Sequence, residues 1–277
     1  MKKTIFTGIL ALAAGAFGLM AQGAAPAPKG AAPAQGAAPA AQGAAPAAEK
    51  GPAPKSQAEL QAIQAMFTAQ QTGPDAVIKA ADDLLTKFAD TDYKELALYM
   101  QADAYQQKRD LTKAQVLAEQ AIAVNPKSYQ AAIMLAELIT QQTRENDLDR
   151  EDKLTKASKY ANEAVTNVQA TAKPNPQVTD AQWDEFKKGI VARAHNVLGM
   201  GDLTRKKFDE AAAEFKTAAE DDPQPAYLAR EASALQSAGK SAEAIALCDK
   251  ILTDPNLHPM IKQVVTQIKA QASSAKK

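Results

Sequence analysis

The sequence predicts an all-α fold, a superhelical solenoid of stacked antiparallel helix pairs, and three observations predict it. First, one passage is written more than once. Leu111-Thr-Lys-Ala114-Gln-Val-Leu-Ala118-Glu-Gln-Ala121-Ile122 returns as Leu154-Thr-Lys-Ala157-Ser-Lys-Tyr-Ala161-Asn-Glu-Ala164-Val165, and more loosely from Lys207 through Ala211, Phe215 and Ala218. Each copy keeps small or apolar residues on one helical face, and self-similarity every few tens of residues marks a solenoid. Second, the chain from Ser56 onward shows helical periodicity, with no run of period two. Third, breakers punctuate it: Gly73-Pro74, Asn125-Pro126, Pro174-Asn-Pro176, Asp222-Pro223, Gly239 and Asp254-Pro255.

The ends read differently. Lys2 and Lys3 precede an apolar run from Ile5 to Met20, and small residues follow it. A membrane span needs about 20 apolar residues, so residues 1–21 read as a signal peptide, cut near Ala21 to Gly23 or Gly23 to Ala25. The alternative is an uncleaved anchor. The reading implies export, to the periplasm or beyond, with no membrane insertion after cleavage. The sole cysteine is Cys248, far from the apolar run, so a lipoprotein is not expected. Residues 22–55 repeat Gly-Ala-Ala-Pro, as at Gly23, Gly30, Gly36 and Gly43. Frequent proline blocks helix, and so little bulk cannot form a core, so this stretch reads as a disordered linker. Fully extended it would reach on the order of 100 Å. The folded domain is expected at 56–274.

Charge excludes one class of partner. The chain has 32 basic and 32 acidic residues, and residues 1–55 hold five lysines and one glutamate. The remainder therefore carries 27 against 31, a net of −4, with no basic patch to footprint nucleic acid. A single cysteine forms no internal disulfide, which a helical core of this size does not need.

The helix pairs can be placed in order. The first unit, 57–90, shows Leu60, Ile63 and Phe67, then Ala76, Ala80 and Leu84. The clearest, 95–128, has Leu98, Ala102 and Tyr105, then Ala114, Ala121 and Pro126. Unit 129–169 has Leu135, Ala136 and Ile139, then Ala157, Ala161 and Ala164, with about nine extra residues around Thr143 to Asp152. Units 192–225 and 225–257 follow, with Leu198-Gly199, Phe208, Ala211, Phe215 and Pro223, then Ala232, Leu235, Gly239, Ala244, Cys248 and Pro255. Thr143 to Asp152 holds no Gly or Pro, so it is expected to lengthen the flanking helices past Gln142 and from near Asp149, leaving a tip clear of the solenoid. Last, Met260, Ile261, Val264, Val265 and Ile268 form an apolar stripe suited to a capping helix. A membrane-surface helix is the alternative.

This spacing of small, aromatic and closing Pro positions resembles the tetratricopeptide repeat, a 34-residue helix–turn–helix. The resemblance covers about 57–257. It implies a right-handed superhelix of about five repeats plus a cap. Unit 192–225 departs from the pattern at Asp202, where the family has Tyr. Leu85 to Tyr93 followed by Ala97-Leu-Tyr99 is similar to the repeat junction of bacterial envelope members.

Reaction chemistry is missing from the sequence. His195 stands at a first-helix packing position, and Cys248 replaces an aromatic core residue. No HExxH pattern, Cys/His cluster or glycine-rich phosphate loop occurs. Asp147 to Asp152 imitates a calcium loop but has Asp152 where Gly is needed and Ser158 where Glu is needed. The expectation is no enzyme, no cofactor and no metal.

The resemblance implies that first-helix side chains line a concave binding face. Its residues would be Tyr99, Asp103, Gln106, Gln107, Ile133, Glu137, Thr140, Gln141, Arg193 and Asn196. Tyr99 with Asp103, and Ile133 with Glu137, stand where the family's carboxylate-binding groove uses Lys and Asn. An acidic groove repels a carboxylate and suits an amide-rich or basic segment. The expected function is a non-catalytic scaffold of the bacterial cell envelope that binds protein or peptide partners. The alternative is an accessory module for peptidoglycan or another small envelope ligand.

Overall fold

The structure, a computed structural model, describes residues 51–275. The signal peptide and the linker up to residue 50 lie outside the described residues. Within them the chain is all helix and turn, with no strand. Five helix pairs follow one another: α1 (Gln57–Ala69) with α2 (Pro74–Lys87), α3 (Lys94–Gln107) with α4 (Leu111–Val124), and α5 (Tyr129–Gln142) with α6 (Arg150–Ala170). The series continues with α7 (Asp180–Thr204) and α8 (Phe208–Asp221), then α9 (Pro225–Ser237) and α10 (Ser241–Leu252), and ends in α11 (Pro259–Ala275). Each helix packs on the next. In addition α5 touches α7, and α9 touches α11.

Small residues make the stacking possible. Ala114, Ala118 and Ala121 of α4, Ala157, Ala161 and Ala164 of α6, and Ala211 and Ala218 of α8 are all buried, as the repeated passages predict. Alanine at the contacts lets helix axes approach to about 8–10 Å. Larger residues fill between layers, among them Met66, Leu84, Leu135, Leu154 and Phe215. In α2 the buried stripe is Val77, Ala81 and Leu84. The expected Ala76 and Ala80 are only partly buried, because the helix is rotated by about one residue from the expected register.

Within three pairs, the turn is a left-handed C-terminal cap. Arg109 (φ 62°), Lys206 (φ 60°) and Gly239 (φ 79°) carry the positive φ. The following amides of Asp110, Lys207 and Lys240 donate to the carbonyls of Tyr105, Asp202 and Leu235. These bonds satisfy carbonyls that a helix end leaves open.

Three departures from the expected organisation have local causes. Residues 51–55 are partly fixed, so the folded body starts before Ser56. The Tyr93 hydroxyl donates to the Pro52 carbonyl, Lys55 pairs with Asp90 and Asp92, and the Lys55 amide donates to buried Glu59. Next, α5 does not run past Gln142. The Thr143 hydroxyl bonds back to the Ile139 carbonyl at 2.7 Å, and Asp147 accepts the Arg144 amide at 3.1 Å. Such side-chain bonds compete with the helix ladder and end it. The added length goes into α6, whose 21 residues start at Arg150, near the expected Asp149. The tip is also braced: Glu145 pairs with Lys206, and Glu151 with Arg205.

The third departure is α7, at 25 residues. Its first turns, 180–191, precede the unit expected from 192. A capping box starts them: the Thr179 hydroxyl accepts the Gln182 amide, and the Gln182 side chain accepts the Thr179 amide. Trp183 stacks on Phe186 at 5.2 Å, and Phe186 meets Tyr129 of α5 edge-on at 5.9 Å. Hence this extension joins the third and fourth pairs.

Helix α11 packs on α9 and α10 in the place of a cap. Its contact stripe is Val265, Ile268 and Ala272, with Ile261 half-buried. Met260 (70% exposed) and Val264 (49%) face outward, so the expected stripe holds only in part.

Candidate functional site: the inner face of the first helices

The 34-residue period puts chemically related positions one above another. Asp103 and Glu137 stand one period apart, as do Arg193 and Tyr227, and Asn196 and Arg230. The helices α3, α5, α7 and α9 therefore present one polar row.

Arg193 is its hub. Its guanidinium donates to both oxygens of Glu137, at 2.7 and 2.6 Å, from α7 to α5. The side chains are 20% and 17% exposed, so the pair is largely withdrawn from water. Burial works to lower the Arg193 pKa, and the Glu137 charge and hydrogen bonds overcome it, holding the group above its ordinary value. Arg193 also acts electrostatically on Tyr99 of α3 and Tyr227 of α9. Burial pushes both phenols up, with the Arg193 charge opposing. On the far side, Arg230 donates to the Asn196 side-chain oxygen at 2.5 Å. On the near side, Gln107 donates to Asp103 at 2.7 Å. Asp103 makes no ion pair among the described residues, and burial holds its carboxyl above the usual range.

The expected residues thus divide. Asp103, Gln106, Glu137, Arg193 and Asn196 are half-buried on this row, and Gln107 and Gln141 are exposed. Tyr99 is nearly covered at 8% exposure. Ile133 and Thr140 are not on the surface. Ile133 is fully buried, and Thr140 turns its hydroxyl back to the Ala136 carbonyl at 2.8 Å. The reason is that α5 lies mid-stack, with nine of its residues from Ala131 to Thr140 buried. The expected acidity is corrected too. Arg193 matches the charge of Glu137, and Arg230 adds a cation. Tyr227 and Arg230 were legible from the 34-residue offset to Arg193 and Asn196.

Elsewhere, polar groups are structural. The Ser128 hydroxyl donates to Glu95 at 2.5 Å and accepts the Ala131 amide, capping α5. His195 Nδ1 lies 2.7 Å from Glu214 Oε2. Cys248 is a free thiol, fully buried. No cluster of three or more metal-ligating side chains occurs among the described residues, and no helix there is long and apolar enough to cross a membrane.

Known proteins similar in structure share the solenoid. A MamA chain from residue 41 to its end, from Desulfovibrio magneticus RS-1, superposes with a TM-score of 0.53 at 12% identity, covering 71% of this chain and 94% of that one. A second MamA crystal structure gives 0.51 at 14% identity, covering 73% and 98%. The tetratricopeptide-repeat protein TTC0263 of Thermus thermophilus gives 0.49 at 18% identity, covering 79% and 98%. No known family's sequence profile matches the chain, and no curated protein sequence does. At these identities the likeness to the two MamA chains shows the fold alone: an all-α, tetratricopeptide-repeat-like superhelix.

Proposed function

We propose that this chain is an exported, non-catalytic scaffold of the bacterial cell envelope that holds a protein or peptide partner on the inner face of its first helices. One observation carries the reading. Four successive first helices converge their polar side chains on one row, centred on the Arg193–Glu137 pair, while their other faces are apolar and packed. Solenoids present such surfaces to extended partners. Export rests on the apolar run after Lys2 and Lys3, and the Gly-Ala-Ala-Pro units would supply reach between the export machinery and the folded body. The MamA proteins lend the reading their fold alone.

Affinity capture of the full chain from an envelope extract of its own host tests this, with mass spectrometry as the readout. The reading expects a protein partner held by the wild type and lost when Gln107 and Gln141 are both changed to Lys. Recovery of glycan with no protein would overturn it in favour of a peptidoglycan module. So would a protein partner retained equally by the variant.

A further inference from the structure

Successive helix pairs are tied together at the edge where they turn. Asp75, Glu151 and Asp209 are each the second residue of a second helix, in α2, α6 and α8. Each takes a cation from the turn of the following pair. Lys108, the first residue after α3, pairs with Asp75. Arg205, the first residue after α7, lies 2.9 Å from Glu151. Lys240, shortly after the end of α9, lies 2.8 Å from Asp209. In all three the acid belongs to the earlier pair and the cation to the later one. Helix α4 has no acid in its first turn, and among the described residues no such link reaches that turn.

Helix α10 does have the acid: Glu243 stands in its first turn. It is exposed and makes no ion pair among the described residues, while its neighbour Lys240 is engaged with Asp209. Helix α11 follows α10 as α3 follows α2, and the residue after its last, Ala275, is Lys276. Lys276 lies outside the described residues. Its place in the chain matches that of Lys108: Lys276 is 33 residues from Glu243, as Lys108 is from Asp75. The place where it emerges matches too. Glu243 and Ala275 line the same open cavity, about 310 Å³ in volume, with Gly239 to Ala242 forming the rest of its wall. The end of α11 therefore delivers its next residue to the rim of the hollow that Glu243 borders. An acid at a helix start and a base at a helix end are each favoured by their own helix dipole. That preference explains the two charges singly, but not the shared spacing and the shared cavity.

We propose that Lys276 docks on Glu243 and repeats at α11 the link that Lys108 makes to Asp75, so that the hollow beside α10 receives a segment of this same chain and ties the last helix to the fifth pair.

Amide hydrogen exchange of the full chain, read by NMR at Ala270 to Ser273 of α11, tests it. Four proteins are compared: the wild type, Glu243→Gln, Lys276→Gln and the double variant. Exposed ion pairs contribute little, so each single change should speed exchange at the end of α11 by only about two- to fivefold. The signature of a link is that the two effects do not multiply. The double variant should exchange about two- to fivefold more slowly than the product of the single effects. Glu243→Lys combined with Lys276→Glu should be better protected than either reversal alone. Circular dichroism checks that each variant is folded. Charges that serve only their own helix dipoles would give single effects that multiply. That result, or an effect of Glu243→Gln that is the same whichever residue stands at 276, would overturn the proposal.

Discussion

Glycines 199 and 189 lie on the same helix, α7, and have opposite roles. A Cβ on Gly199 would stand 2.8 to 3.0 Å from ring atoms of Phe215, which is fully buried and cannot retreat. Gly199→Ala should cost about 1–3 kcal/mol through overpacking. A Cβ on Gly189 meets nothing within 4 Å. Gly189→Ala should stabilise by about 0.4–1 kcal/mol, since the unfolded chain loses freedom while the helix gains a better former. Urea denaturation of the two variants checks the contrast; equal shifts would mean α7 is misplaced against α8. At His195, the hydrogen bond to Glu214 raises the pKa above the ordinary 6.5, burial opposes it, and the Glu214 and Asp221 charges add. A raised folded value means the contribution to stability is full below about pH 6.5 and fades as pH climbs through the folded value. The stability gap between wild type and His195→Ala should therefore narrow from pH 6.5 upward. A gap that widens over that range would contradict the pair.

The two stretches outside the 34-residue pattern, 180–191 of α7 and the 143–149 turn, differ in kind. Trp183 is 5% exposed and stacks on Phe186, so Trp183→Ala should cost about 3–5 kcal/mol in thermal or urea unfolding. The 143–149 turn instead rests on exposed ion pairs, and Leu148 at its apex is fully exposed. Exposed pairs contribute little. Replacing 144–148 with a short Gly-Ser turn should leave the unfolding midpoint nearly unchanged, and a collapse would show the turn to be part of the core. These elements also mark how far the sequence could be read. The stripes at Ala114, Ala157 and Ala211 were legible because small residues at helix contacts recur with the repeat. The α7 extension was not, because 170–191 falls outside the 34-residue pattern. Its signal was local: Thr179 and Gln182, a capping box just after Pro174 and Pro176. The end of α5 was obscured for another reason. Propensity favours helix through Thr143 to Asp152, and only the bonds of Thr143 and Asp147 stop it. At the site, the row of positions followed from the period, but burial of Ile133 and Thr140 depended on how α4, α6 and α7 pack around α5.

Across the whole molecule, stability should be uneven. One continuous apolar cluster runs from Ile63 to Val197, whereas the chain beyond it divides among smaller clusters around Phe215, Tyr227 and Val265. In a solenoid each unit leans only on its neighbours, so the less connected end opens first. Hydrogen exchange should show lower protection for α9, α10 and α11 than for α3 to α7. Uniform protection would mean the repeats unfold as one body. The polar row joins these regions, since Arg193 and Asn196 of α7 reach back to Glu137 and forward to Arg230.

Site-specific photo-crosslinking in the host asks whether the inner face holds a protein partner. A photoreactive residue is placed in turn at Gln107 and Gln141 on the inner face, and at Lys159 on the exposed side of α6. One protein adduct should be shared by Gln107 and Gln141 and be missing at Lys159. Adducts at Lys159 with none at the inner positions would contradict it.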